Sequence, residues 1–378
     1  KIDVPETAMY SVTVEYYPIE GNGSTIERIF LIDDEIPFNE ARYMNFTRVW
    51  VDVEENGYSR TERTFKKDIN ENEMRPVKEE APEWRTQTLI DSQAFYSEPF
   101  KFYLDEGEHT IAFESASEPL KIASIKLHTA EVLPTYEEYL AAHKDAPKLS
   151  ENVSVKINAE TPLKTSEQVI YAMNDRTSAI TEPQSTKATL LNTIGGNGGD
   201  KWKITGQWIQ WEVEIPETGM YKIIPRFKQT VNAGLFSSRS LKIDGEYPFS
   251  EAKLLQFNYN SDWQTLPLND GTTEFEFYLE AGTHTIELEV VLGYMASILQ
   301  TIDASTDRLN EYYRKILMIT GSEPDEYTDY EFAKLIPEVL RGMREESELL
   351  YDMSALLEET IGEKGENTVI LDRVAYLL

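Results

Sequence analysis

The stretch FYLEAGTHTIELEV, beginning at Phe277, has a near copy in FYLDEGEHTIAFES, beginning at Phe102. Each reads as a strand, a tight turn and a returning strand, with Gly282 or Gly107 supplying the positive φ of the turn. The likeness extends well beyond the phrase. Val4–Thr47 aligns with Ile215–Asn258 without a gap, and 15 of the 44 positions are identical at a constant offset of 211. VPETAMY matches IPETGMY, IDDEIPFNEA matches IDGEYPFSEA, and Arg28 falls on Arg239. The later turn phrase matches at an offset of 175, and Trp84 corresponds to Trp263. The first copy therefore carries an insertion of about thirty residues between roughly Val51 and Glu83. A chain duplicated in this way is expected to fold as two units of one kind.

Each unit reads as all-β. Along WIQWEVEI, Ile209, Trp211, Val213 and Ile215 alternate onto one face, and later runs repeat the pattern through Leu241, Phe277 and Leu288. Short alternating runs divided by Pro-Glu-Thr-Gly, Asp-Gly and Ala-Gly turns predict antiparallel jelly-roll β-sandwiches. The second copy is preceded by a segment, Val153–Trp211, with an expected first strand VSVKINAE and a loop GGNGGDKW; nothing before Lys1 matches it. The expected organisation is a first sandwich over 1–128, truncated at its start, and a helical connector and linker over 129–152 with a helix at Tyr136–His143. A second sandwich over 153–304 and a helical segment over 305–378, also read as cut short, complete it. In that last segment Leu349, Met353, Leu356 and Leu357 recur at helical spacing, and Gly362 and Gly365 end a helix.

Charge narrows the partners. With 36 Lys and Arg against 67 Asp and Glu, a formal charge of −31 repels nucleic-acid phosphates and anionic lipid. No cysteine is present, which removes disulfides and thiolate chemistry but leaves the compartment open. No apolar run reaches the ~18 residues of a membrane span, so direct insertion is not expected.

Trp202 follows the Gly-rich loop, and Trp208 lies on the face opposite Ile209, as a solvent-facing indole. Such indoles stack on the apolar face of a sugar ring, with Asn192, Asn197 and Asp200 nearby for hydrogen bonds; the alternative is a tryptophan that only covers the end of a sandwich. Arg75, with Asn72 and Glu73, sits in the insertion, which is either a solvated loop or a lid over one end of the sandwich. Arg28 with Glu40, and Arg239 with Glu251, read as structural ion pairs in preference to a carboxylate or sugar site. Calcium is the one cofactor considered, through oxygen ligands from Glu160 on the first strand and Asp303 on the last. No zinc-protease, nucleophile-elbow or phosphate-loop motif occurs, so a non-enzymatic role is expected.

Taken together, IERIFLIDDEIPFNEA, NEMRP, FYLDEGEHTI, SSRSLKIDGEYPF and ITGSEPDEYTDYEFAKLIPEVL resemble the N-terminal accessory region of large extracellular solute-binding proteins of bacterial ABC importers, found in Firmicutes. The resemblance implies two galactose-binding-like, carbohydrate-binding jelly rolls followed by a helical segment. It also implies a glycan or oligosaccharide ligand, and as partners a solute-binding domain missing from this chain and an ABC permease. Export and lipid anchoring at the cell surface would follow. The sandwiches also resemble calcium-dependent carbohydrate-binding jelly rolls, with Asn158 where that pattern expects an acid. A purely structural scaffold, or an accessory region of a glycoside hydrolase, are the alternative readings.

Overall fold

A computed structural model describes the chain except residues 56, 97, 130, 131, 152, 232, 234 and 363. Parts of the expected linker (Ala130, Glu131 and Asn152) and Asn56 of the insertion thus lie outside the described residues. The chain divides into two units: Lys1–Val231 with Ser237–Gly293, and Asn232–Phe236 with Tyr294–Leu378.

The first unit holds both sequence copies apart from residues 232–236 of the second. Strands β1 (Ile2–Val4), β2 (Ala8–Pro18), β3 (Ile26–Ile32), β4 (Met44–Phe46), β5 (Trp50–Asp52), β6 (Lys78–Glu80), β7 (Arg85–Thr88), β8 (Phe102–Leu104), β9 (Gly107–His109), β10 (Ile111–Ser117) and β11 (Leu120–His128) come from the first. Helix α1 (Tyr136–Ala142) falls where the sequence predicts it, closed at its start by a capping box between Thr135 and Glu138. The second copy supplies β12 (Lys164–Thr165), β13 (Ala172–Met173), β14 (Thr193–Ile194), β15 (Trp208–Ile215), β16 (Gly219–Tyr221), β17 (Arg226–Phe227), β18 (Phe236–Ile243), β19 (Leu255–Asn258), β20 (Gln264–Thr265), β21 (Phe277–Leu279) and β22 (Gly282–Val291). Among the described residues the strand pairings are antiparallel, and each copy has a large apolar core. On β2 the alternation turns Val12, Val14 and Tyr16 inward, where they meet Phe30, Phe46 and Phe102. On β15 it buries Ile209, Trp211, Val213 and Ile215, as the pattern predicts. The chain is mainly β, with antiparallel sandwiches and a helical part.

The copies agree in detail. Val4 pairs with Gly107 as Ile215 pairs with Gly282, and Ile32 pairs with Ile111 as Ile243 pairs with Ile286. Asp33 and Asp244 both adopt φ 52°, and Gly107 and Gly282 take φ 131° and 138°. Tyr10 Oη donates to Glu6 O at 2.8 Å, and Tyr221 Oη to Glu217 O at 2.6 Å.

A histidine clamp also recurs. His109 Nδ1 lies 2.6 Å from Asp33 and its Nε2 2.9 Å from Asp105 O; His284 repeats this with Asp244 at 2.6 Å and Glu280 O at 2.8 Å. Both ring nitrogens face acceptors, so the imidazolium, with two N–H donors, fits the site best. The Asp33 hydrogen bond raises the pKa of His109; at His284 burial pulls downward, but the Asp244 and Glu280 hydrogen bonds prevail and the net direction is up. Asp33 and Asp244 are held below their ordinary value. The histidine contribution is complete below the unfolded value of 6.5 and fades as pH rises through the raised folded value. The aspartate contribution is complete above 3.8 and fades as pH falls through the depressed one. Urea melts should therefore show that His109→Gln and His284→Gln cost most stability between about pH 4 and 6.5, with the difference shrinking above it. A difference independent of pH would contradict the clamp.

The insertion is where the fold departs from expectation. It is neither a free loop nor a lid over the first sandwich. Instead β5 pairs with β12 of the second copy (Trp50 opposite Thr165), extending one seven-stranded sheet in the order β19-β18-β22-β15-β12-β5-β6 across both copies. The rest of the insertion lies along the second copy: Glu73 accepts from Leu191 N at 2.7 Å, Asn72 from Thr189 N at 2.8 Å, and Arg63 meets Glu160 at 2.5 Å. Backbone donors and acceptors that a solvated loop would leave to water are satisfied here by protein.

Two further expectations are corrected. Residues 153–158 form no strand, and Lys164–Thr165 is the piece that enters the sheet. The helical part begins ten residues earlier than 305, because α2 runs over Met295–Thr320 and takes up residues assigned to the second sandwich.

The second unit contains α2, α3 (Phe332–Leu335), α4 (Pro337–Ile361) and α5 (Glu366–Leu377). The buried stripe of α4 is Val339, Gly342, Glu346, Leu350, Ser354 and Leu357. Gly342 is needed because a Cβ there would come within 2.4 Å of Tyr312 Oη on α2. Arg308 on α2 grips Glu346 through two donors, and the Ser347 hydroxyl donates to Ala375 O at 2.6 Å. Gly362, at φ 83°, ends α4 as the sequence predicts.

Candidate functional site

The first sandwich opens a cleft of about 430 Å³ lined by Glu20, Gly21, Asn22, Gly23, Trp50, Glu80 and Pro82. Three chain segments make it: the loop after β2, the first residue of β5, and the end of β6 with the residues that follow. The loop lies close against its surroundings. Gly23 has φ 77°, and a Cβ on it would sit 3.3 Å from the Trp50 ring; a Cβ on Gly21 would sit 2.0 Å from a Glu118 oxygen. Only glycine lets the backbone approach both.

Beneath the cleft Arg48, 2% exposed, ties the segments together. It meets Glu80 at 2.5 Å and Glu118 at 2.6 Å, and donates to Ser24 O at 2.8 Å and Ile19 O at 3.1 Å. Glu118 accepts in addition from Asn22 N at 2.9 Å and Ser24 Oγ at 2.9 Å. Burial pushes the Glu118 carboxyl up, but Ser24, Asn22 and the Arg48 charge outweigh it and leave it below the ordinary carboxylate value. Glu80 also lines the cleft, and its other oxygen has no hydrogen-bond partner among the described residues. The result is a half-buried indole flanked by carboxylates and an amide, with the Arg48 guanidinium already taken.

The residues singled out from sequence are placed otherwise. Trp208 is 2% exposed, not solvent-facing, because the first copy covers its face and the Arg85 guanidinium lies 4.4 Å from its ring. Trp202 is half-buried against the second core; Arg239 covers its ring at 4.4 Å and its Nε1 donates to Gln207 O at 3.1 Å. Asn192 is buried and spends its side chain on Asp175 and Pro183, whereas Asn197 and Asp200 are exposed in the turn beside Trp202. Arg75 lies over Tyr171 at 4.4 Å.

The expected arginine–glutamate pairs do not form. A bulge lies between Ser115 and Ser117 at the end of β10, and Arg28 donates there to Ser117 O at 2.7 Å and Glu118 O at 2.9 Å, and to Glu27 O on its own strand at 2.7 Å, not to Glu40. Arg239 donates to Ser238 O and Trp202 O at 2.8 Å, while Glu251 accepts from Tyr136 N at 2.9 Å and so caps α1. Glu160 is buried on Arg63, and Asp303 belongs to helix α2 in the other unit, not to a last strand. Among the described residues no three His, Asp or Glu side chains are gathered as a metal site. The sequence signals that bear on the cleft are Trp50 at the start of the insertion and the Gly-Asn-Gly run at 21–23, which the structure brings together.

The fold and cleft define a tandem antiparallel β-sandwich with an aromatic, acidic site on its loops. No protein-family model and no curated protein matches this chain. It is similar to a cycloisomaltooligosaccharide glucanotransferase of Paenibacillus sp., complexed with cycloisomaltoheptaose, at 21% identity over 37% of this chain and 17% of that one, with a TM-score of 0.27. It is similar also to a family 35 carbohydrate-binding module from an environmental isolate (16% identity, 32% of this chain, 73% of that one, TM-score 0.21). A family 35 module from Cellvibrio japonicus Abf62 aligns at 15% identity over 32% of this chain and 77% of that one, with a TM-score of 0.20. No helix among the described residues is long and apolar enough to cross a membrane.

Proposed function

We propose that this chain is a non-catalytic saccharide-binding portion of an exported protein, serving beside the solute-binding component of a sugar importer. One observation carries the reading: the Trp50 cleft pairs an indole with groups that match a sugar's rim of hydroxyls. A pyranose has apolar C–H faces, which the indole can cover, and hydroxyls that Glu20 and Glu80 can accept from and Asn22 can bridge. With Arg48 spent on Glu80 and Glu118, the charge of the lining is negative. Neutral or amino sugars fit that field, and uronates are repelled.

Affinity electrophoresis through gels containing neutral glucans, xylans or galactans tests the proposal. Retention of the wild type, and a roughly tenfold or greater loss of affinity for Trp50→Ala, are expected. Repeating the run with a chelator decides whether calcium takes part. No retention on any gel would remove the saccharide reading. A rigid spacer is then the alternative, favoured by the sheet that runs through both copies.

A further inference from the structure

The two segments that wall the cleft leave it side by side. One runs back from Glu20 into β2, and the other runs forward from Glu80 and Pro82 toward β7. They meet again at an aromatic pair, with the rings of Tyr17 and Trp84 5.4 Å apart and tilted by 56°. Glu80 and Pro82 face the cleft, whereas Glu83 reaches Lys164 at 2.5 Å and Arg85 covers Trp208, both in the second copy. Trp84 lies two residues beyond Pro82, and its ring partner Tyr17 three residues before Glu20, so the aromatic pair adjoins both segments that wall the cleft. It is 52% exposed, an unusual condition for so large an apolar ring. Lys121, opposite Tyr17 in the β2–β11 ladder, places its ammonium 5.7 Å from the Tyr17 ring.

We infer that Trp84 and Tyr17 form a second sugar platform continuous with the Trp50 cleft, so that the ligand is a neutral oligosaccharide and not a single sugar. This rests on the saccharide reading of the cleft. Pro82 and Trp84 are two residues apart, about 7 Å of extended chain, which is a fitting reach for a neighbouring ring of the same saccharide. The amide and carboxylates of the cleft fix one residue by its hydroxyls; the exposed indole adds contact to the next without selecting its linkage.

The test is calorimetric titration of the full chain with isomaltooligosaccharides and cellooligosaccharides of two to six residues, using wild type, Trp50→Ala, Trp84→Ala and Trp84→Phe. Wild-type affinity should rise with chain length. Trp50→Ala should weaken every ligand, whereas Trp84→Ala should flatten the dependence on length, losing about fivefold to tenfold on the longest ligand and little on the disaccharide. Trp84→Phe should recover most of that loss, and thermal melts of the three variants should confirm folding. Equal losses for short and long ligands in Trp84→Ala, or an unchanged affinity throughout, would overturn the second platform while leaving the cleft reading intact. An unchanged affinity in Trp50→Ala, or no wild-type binding to any of these sugars, would overturn both.

Discussion

Arg48→Ala is expected to destabilise the first unit by about 3–5 kcal/mol, because it leaves Glu80 and Glu118 facing each other's charge with no counter-ion. The arginine is 2% exposed and donates to two carboxylates and two carbonyls, so alanine removes the hydrogen bonds from several chain segments in one step. In a unit of this size that corresponds to a fall in melting temperature of about 5–8 °C. Lysine should rescue only part of the loss, since a point charge cannot reproduce the planar fork that reaches Glu80 and Glu118 together. Binding at the cleft should weaken as well, because the Gly21–Gly23 loop and Glu80 lose their common anchor. Thermal and urea melts of the three proteins check the result, and a change below about 1 kcal/mol would mean that the clamp does not hold the loops.

The second large effect lies in the seam between the copies. Asp52 and Lys78 are buried on β5 and β6, with Lys78 Nζ 3.0 Å from Asp52 Oδ1 and 3.1 Å from Thr165 Oγ1 on β12. Burial raises the Asp52 pKa and lowers that of Lys78, the direction in which each charge resists its surroundings. Asp52 Oδ2 has no hydrogen-bond partner among the described residues. Replacing one partner, as in Lys78→Met, strands a charge and should cost about 3–5 kcal/mol. The double change Asp52→Val with Lys78→Met should recover most of that, or exceed the wild type, because no buried charge remains. Thr165 keeps a partner in the double variant through its bond to Glu167 O at 3.1 Å. Urea melts of the two single variants and the double variant form the cycle, and additive single costs would show that the ion pair is not what couples these residues.

Local pattern was a reliable guide to whatever a single copy decides for itself. Alternation on β15 placed Ile209, Trp211, Val213 and Ile215 inside, and the matched turns placed positive φ at Gly107 and Gly282. The same reasoning went astray at Trp208, whose parity correctly put it on the outer face. That face is outer only to its own sandwich, since Arg85 of the first copy covers it. The arginines were read as partners of turn acids because sequence displays charges and hides carbonyls. Beside the bulge in β10, main-chain oxygens are the acceptors that Arg28 takes. Trp50 escaped notice for a related reason: its position at the start of an insertion carries no periodic signal, and its companions Glu80 and Pro82 are thirty residues away.

Sequence alone determined the duplication, the antiparallel strands, the turns and the helical tail, because alternation, glycine and proline act over a few residues. Tertiary structure decided where the insertion goes, what it covers and where a cleft is left open. Those outcomes depend on burying backbone and side-chain groups against segments distant in the chain, and the free energy of that burial is a property of the meeting surfaces, which no stretch of residues carries by itself.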